Sequence, residues 1–199
     1  MPTSIRERKR RRAREAIIKA AFDLFATHGF SAVTVTEIAE RAEVGRTTFF
    51  RYFGDKREVV FADEQHMLDE LLALEGVDPL PGMTLAQALS RARPAVRAVC
   101  AVGTRDAGRY VLYERLVADN PELHDRAERK LLALTDAMAR VLRAQGAADA
   151  TAVLAAHIAL ACFRTGRLLA GPDPAALADA ADAAFAEVEA LAGAGAFSR

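Results

Sequence analysis

Thr34-Val35-Thr36-Glu37-Ile38-Ala39-Glu40-Arg41-Ala42-Glu43-Val44-Gly45-Arg46-Thr47-Thr48-Phe49-Phe50-Arg51-Tyr52-Phe53 is the stretch that decides the fold. Thr34 and Glu37 stand at capping-box spacing, in which each side chain satisfies a backbone N–H at the other's end of the first turn. The pattern predicts a helix from Thr34 to about Ala42, with Ile38, Ala39 and Ala42 as its apolar face. Val44 then closes a tight turn inward. A second short helix follows over Arg46 to Phe53, with Phe49 and Phe53, four apart, on its buried face. Arg46, Thr47, Thr48, Phe50, Arg51 and Tyr52 are left to face outward. Two short helices joined by a tight turn, the second with Arg, Thr and aromatic groups on its free side, have the layout of a helix-turn-helix. The side chains suit duplex DNA: Arg forks onto guanine, Thr reaches phosphate or base edges, and an aromatic edge meets a thymine methyl.

Upstream, Ala13, Ile17, Ala20, Ala21, Leu24 and Phe25 recur at helical spacing and predict a helix from about Arg11 to His28. Gly29 stops it, since glycine accepts the left-handed conformation just past a C-terminus. Residues 1–10 are expected to be mobile, and Arg10, Arg11 and Arg12 form a basic arm. That arm suits either the adjacent minor groove or general counterion release. Downstream, Asp55 is placed to cap a fourth helix from Lys56 to about Leu74. Lys56 and that helix N-terminus together attract phosphate. Three short helices are a small unit, so the fourth helix and the body behind it are expected to brace them.

Glu75 to Gly82, with Pro79 and Pro81, reads as a loop. Beyond it the pattern predicts helices over about 84–102 (kinked at Pro94), 105–118, 121–145, 149–170 and 173–192. The expectation is an all-α protein of about nine helices. Residues 1–54 would form a basic arm and helix-turn-helix domain, and residues 55–199 a helical domain for ligand binding and dimerisation.

Composition agrees with a helical globule: 199 residues, 52% hydrophobic, formal net charge zero. The charge is unevenly placed. Residues 1–60 carry 13 Lys and Arg against 8 Asp and Glu, whereas residues 61–199 carry 14 against 19. A basic head on an acidic body suggests that the head alone meets a polyanion. Cys100 and Cys162 lie in apolar helical contexts without metal-ligand spacing and read as reduced, buried residues. Lys19 and Asp23 interrupt any signal-like run, and the longest apolar run, Ala152 to Phe163, is shorter than the ~20 residues that span a bilayer. A cytoplasmic protein with no membrane partner is expected. His28, His66, His124 and His157 are scattered, with no HExxH pair, nucleophile elbow or glycine-rich phosphate loop. Neither catalysis nor a metal or other cofactor is expected.

The pattern Ala20-Ala21-x-x-Leu24-Phe25-x-x-x-Gly29-Phe30, then Thr34-x-x-x-Ile38-Ala39, Ala42-x-Val44 and Thr48-Phe49-Phe50-x-Tyr52-Phe53-x-x-Lys56 resembles the N-terminal domain of the TetR family of bacterial transcription regulators. The resemblance covers residues 13–60. It implies an all-helical homodimer with a ligand-binding body and a dimer interface on the last two helices. By position it implies phosphate contacts at Thr34, Thr48, Phe50 and Lys56, and base readers at Thr36, Arg46, Thr47, Arg51 and Tyr52. Three departures stand out. Glu43 replaces the usual glycine, Gly45 replaces the usual serine cap, and Phe50 replaces a tyrosine whose hydroxyl would donate to phosphate.

The body matches no ligand-specific pattern. Met67, Leu71, Cys100, Tyr110, Tyr113, Met138 and Phe163 are candidate pocket liners, being bulky, soft or hydroxyl-bearing, though each also suits ordinary core. For the dimer, Leu177, Ala181, Phe185 and Val188 make a stripe on the last helix, with Leu154 and Ile158 as its partner. One short recognition helix reads few bases, so a two-fold pair on a palindromic site is expected. The function expected is a repressor released from its DNA operator by a small-molecule effector. The alternatives are an activator, or an architectural DNA-binding protein whose body holds no cavity of roughly 300 Å³ or more.

Overall fold

The structure, a computed structural model, describes residues 5–76 and 79–193. Ten α-helices and no strand occur among them: α1 (Ile5–His28), α2 (Val35–Arg41), α3 (Arg46–Tyr52), α4 (Lys56–Val60), α5 (Glu64–Leu72), α6 (Leu85–Gly103), α7 (Ala107–Asp119), α8 (Pro121–Ala144), α9 (Asp149–Ala170) and α10 (Leu177–Gly193). The count exceeds the nine expected because the fourth predicted helix is two. α4 ends at Val60, and α5 restarts at Glu64. Phe61 and Ala62 are buried in that break. Residues 1–4 of the segment expected to be mobile lie outside the described residues, and from Ile5 the chain is already helical. α6 runs without a break through Pro94.

Contacts divide the chain into two compact units. The first holds residues through Ala62 together with Arg115–Leu123. The second holds Asp63–Glu114 and the residues from His124 onward. The first unit thus extends past the boundary expected at residue 54, because α4 packs on α1.

In the first unit Ile17, Ala21 and Phe25 of α1 are buried as the spacing predicts, and so are Ile18 and Phe22, which the single expected stripe omitted. α1 packs on both α2 and α4, so its buried face is wider than one stripe. Ile38, Phe49, Phe53 and Val59 complete this core. Phe25 packs at a tilt against Phe30 and Phe49 against Phe53, with ring centroids 5.2 and 5.9 Å apart. Gly29 adopts φ +77°, ending α1 as expected.

The second unit is built on α6, α9 and α10, which pack mutually, with α5 against α6. Its core takes in Leu71, Ala92, Val96, Cys100, Tyr110, Met138, Leu142, Ala155, Ala159, Leu177 and Phe185. Both cysteines are free and buried, and burial pushes the Cys100 thiol up to about 12. Arg93 and Arg97 of α6 both pair with Asp182 of α10. α9 and α10 cross closely at Gly166, where a Cβ would lie 2.5 Å from the Ala181 nitrogen. α9 is the one helix among the described residues long and apolar enough to cross a membrane. Its Ala152, Ala155, Ala156, Ala159, Cys162 and Gly166 are buried in the protein, and it carries Arg164 and Arg167, as a packed core helix does.

Candidate nucleic-acid interface

The first helix of the motif, α2, is held from both ends. Thr34 is the N-cap of α2: its Oγ1 accepts from the Glu37 N–H at 3.2 Å, and the Glu37 carboxylate accepts from the Thr34 N–H at 2.7 Å. The Thr34 hydroxyl also donates to the Glu37 carboxylate at 2.7 Å, and this bond first, with the Thr34 N–H after it, holds the Glu37 carboxyl below the usual range. At the other end the Glu43 N–H bonds to Glu40 O and the Val44 N–H to Ala39 O, both carbonyls of α2's last turn. This is a Schellman closure, and it requires a left-handed residue at Glu43, whose φ is +54°. The departure noted at this position is therefore a strained one. Gly45 caps α3 by its backbone alone, without a side-chain hydrogen bond.

α3 divides as its spacing predicts. Phe49 is fully buried, while Arg46, Thr47 and Arg51 are exposed and Phe50 is 49% exposed. Thr48 and Tyr52 are half-buried, and Thr36 on α2 likewise. The Phe50 ring meets Phe49 edge-on at 5.5 Å, which holds it against the core on one side. The Arg51 guanidinium lies 5.3 Å from the centre of the Tyr52 ring.

A feature that sequence reading missed lies beside α3. The first turns of α1 and the last turn of α3 bound an open cleft of about 610 Å³ lined by Ile5, Arg6, Lys9, Arg10, Ala13, Arg51 and Tyr52. Four cations line it and no carboxylate does. Arg10 is thus fixed on a helix beside Arg51, whereas Arg11 and Arg12 are exposed on α1 and do not line the cleft. The signal was present in the periodicity of Arg6, Lys9 and Arg10, but residues 1–10 read as mobile because they lack apolar anchors.

Lys56 sits at the start of α4, where Asp55 Oδ1 caps the helix through the Glu58 N–H at 3.0 Å. Its ammonium donates to the carbonyls of Phe30, Ser31 and Val33 at 2.7, 3.2 and 2.8 Å and lies 4.5 Å from the Phe30 ring centre. Burial lowers its pKa, against the pull of Glu122. In this arrangement Lys56 organises the segment before α2. Arg57 bridges Asp55 and Glu122.

The candidate pocket residues fall into two groups in the second unit. Leu71, Met138 and Phe163 line one apolar cavity of about 50 Å³ with Val96, Val99, Leu131 and Leu134. Cys100, Tyr110 and Tyr113 do not line it. Met67 lies beside Gly103. Of the expected dimer residues, Leu177, Ala181 and Phe185 are buried within the chain at 2, 1 and 0% exposure, and Ile158 and Val188 are half-buried. Leu154 is 50% exposed. The stripe on α10 was read correctly as apolar, but its face turns toward α6 and α9 of the same chain.

Residues 17–62 match the bacterial regulatory proteins of the tetR family. The chain is 33% identical over 148 residues to the HTH-type transcriptional regulator TcmR of Streptomyces glaucescens. That match takes in 73% of this chain and 65% of TcmR, just under two thirds of the relative's length. By fold it is similar to a protein of Syntrophomonas wolfei assigned to the TetR-family transcriptional regulators, at TM-score 0.63 and 16% identity over 92% of this chain and 95% of that one. It is similar also to the transcriptional repressor FadR of Thermus thermophilus in complex with lauroyl-CoA, at TM-score 0.54 and 23% identity over 94% and 96%.

Proposed function

Because the chain belongs to the TetR family of bacterial regulatory proteins, we propose that it is a sequence-specific transcription regulator, a homodimeric repressor that a small-molecule effector releases from its operator. The observation that carries the reading is α3: Arg46, Thr47, Phe50 and Arg51 exposed over a fully buried Phe49, beside a cleft of four cations. The N-terminal end of a recognition helix meets base edges, so Arg46 and Thr47, with Thr36 from α2, are placed to read sequence. Arg51 and Tyr52 share the cleft with Arg6, Lys9 and Arg10 and suit the phosphate backbone. Thr48 and Phe50 flank that surface. Arg11 and Arg12 add charge that strengthens binding without selecting sequence.

The proposed dimer uses the outer faces of α9 and α10. Leu154, Ile158, Ala161, Thr165 and Leu168 follow one face of α9, and Leu168 is 81% exposed. Ala183, Ala186 and Ala190 are exposed on α10 and permit close approach of a second copy. The buried Leu177, Ala181 and Phe185 support that face from beneath. An effector is supported by the apolar cavity and by the FadR relative, which holds lauroyl-CoA.

Titrating the purified protein into its own promoter region at several salt concentrations tests the proposal. Saturable, sequence-dependent binding with two-fold stoichiometry is expected, and binding indifferent to sequence would overturn it. A second reading, an architectural DNA-binding protein without an effector, is favoured by the small volume of the cavity, about 50 Å³. A body that no apolar molecule stabilises against heating would select it.

A further inference from the structure

Tyr110 is 6% exposed, and its hydroxyl has no hydrogen-bond partner among the described residues. Buried hydroxyls are nearly always paired, since leaving one unpaired forfeits its hydration without return. The neighbourhood of this one is polar. Tyr110, Tyr113 and Glu114 share a face of α7 at the spacing of one turn. From α9, Arg167 Nε donates to both Glu114 carboxylate oxygens at 2.8 and 2.9 Å, and its guanidinium lies 5.9 Å from the Tyr113 ring centre. Burial raises the pKa of the Tyr110 hydroxyl and pushes that of Tyr113 up to about 12, so both stay protonated and able to donate.

Tyr110 belongs to the same buried cluster as the cavity liners Leu71, Val96, Val99, Met138, Ala156 and Ala159. Phe163, which lines the cavity, stands one helical turn before Arg167, and Val99, another liner, precedes the buried Cys100. The cavity offers leucine, valine, alanine, methionine and phenylalanine side chains and one hydroxyl, that of Thr135, which already donates to the Leu131 carbonyl at 2.9 Å. The polar neighbourhood of Tyr110 offers one open hydroxyl donor beside a carboxylate and a guanidinium that cancel each other's charge. Resting on the effector reading above, we propose that the body takes a predominantly apolar, uncharged molecule whose carbonyl-type acceptor receives the Tyr110 hydroxyl. A charged head group gains nothing here, because Glu114 already neutralises Arg167. At about 50 Å³ the cavity has room for little more than a water molecule. Such a ligand must therefore part α5 and α6 from α8 and α9 as it enters, and this parting is the conformational difference that ligand binding favours.

The test uses the full-length protein, three matched probes and the variant Tyr110→Phe. The probes are 2-acetylnaphthalene (neutral, with an acceptor), 2-ethylnaphthalene (neutral, without one) and 2-naphthoate (charged), with affinities read by calorimetry. The ketone is expected to bind most tightly to the wild type, and Tyr110→Phe is expected to weaken it roughly 10-fold while leaving 2-ethylnaphthalene unchanged. Without ligand, Tyr110→Phe is expected to raise the melting temperature, since it removes an unpaired hydroxyl. Absence of saturable ketone binding, equal ketone affinity in the variant, tighter binding of the naphthoate, or a lowered melting temperature would each overturn the proposal. Failure of the regulator reading shows separately, as loss of sequence preference in wild-type operator binding with no probe present.

Discussion

The Lys56 ammonium donates to the Val33 carbonyl at 2.8 Å, across 23 residues of chain, and so ties the start of α4 to the segment that leads into α2. With the Phe30 and Ser31 carbonyls, it gathers three backbone acceptors of the loop that precedes α2. Lys56→Ala is therefore expected to destabilise the first unit by about 1 kcal/mol, the lower part of the range because the site is half-open to solvent. Operator binding should weaken about equally on all sequences, through the displaced Thr34–Val35 entry to the motif. Thermal melts and gel shifts on matched and scrambled operators check this. A variant with unchanged melting temperature but weaker binding would mean that Lys56 leaves its carbonyls for phosphate.

The turn between α2 and α3 holds two removable weaknesses. Glu43 has φ +54°, which costs a residue with a Cβ about 1 kcal/mol that glycine avoids. Gly45 has no side chain to accept from the free N–H groups of α3, and a Cβ there meets nothing within 4 Å. Glu43→Gly is expected to stabilise by about 1 kcal/mol and Gly45→Ser by a few tenths, measured by urea denaturation. A loss of stability in Glu43→Gly would show that the glutamate side chain holds the turn by a contact of its own.

How much of this could be read beforehand depended on the range of the interaction. The capping box of Thr34 and Glu37, the Asp55 cap and the Phe49–Phe53 face are set within four residues, and the sequence spelled them out. The break at Phe61–Asp63 was invisible because residues 56–74 are helical in propensity throughout, and packing interrupts them. The burial of Leu177, Ala181 and Phe185 shows a further ambiguity: an apolar stripe reports that a face is covered, never by which chain. Arg6 and Lys9 join Arg51 only because α1 stays helical back to Ile5, a matter of tertiary placement.

The capping box makes α2 sensitive to acid. Glu37 has a folded-state pKa below its ordinary value, so its charge contributes stability above the unfolded value of ~4.3. That contribution is lost as the pH falls through the lowered folded value. Glu37→Gln keeps a side-chain acceptor for the Thr34 N–H but has no charge to lose. Wild type is expected to exceed Glu37→Gln in stability at pH 7, with the two converging under acid, in parallel denaturant titrations. A gap that stayed constant across this range would mean that the carboxylate charge plays no part.

Base reading and backbone binding separate by salt. Arg46→Ala, at the exposed start of α3, is expected to cost ~1–3 kcal/mol of operator affinity and to relax preference at one position in each half-site. The combined change Arg6→Ala, Lys9→Ala, Arg10→Ala is expected to leave preference intact. It should flatten the dependence of log K on log salt by about 0.9 for each phosphate no longer neutralised. Binding measured from low to moderate salt on an operator and its single-base variants checks both. Relaxed preference in the triple variant would place those side chains on bases instead.

Gly166 is where α9 and α10 come closest, and a Cβ there would lie 2.5 Å from the Ala181 nitrogen and 2.6 Å from its Cα. Backbone cannot yield as a flexible side chain does, so Gly166→Ala must push the two helices apart. Overpacking of this kind costs typically 1–3 kcal/mol, and a backbone contact belongs at the upper end. Separation would also strain the Arg93 and Arg97 pairs with Asp182 that hold α10 to α6. The variant is expected to melt several degrees lower. If the outer faces of α9 and α10 form the dimer, it should also dissociate at higher protein concentration in sedimentation. Gly166→Ala with unaltered melting would show that α9 and α10 slide without cost, and would remove the rigid platform on which the proposed dimer depends.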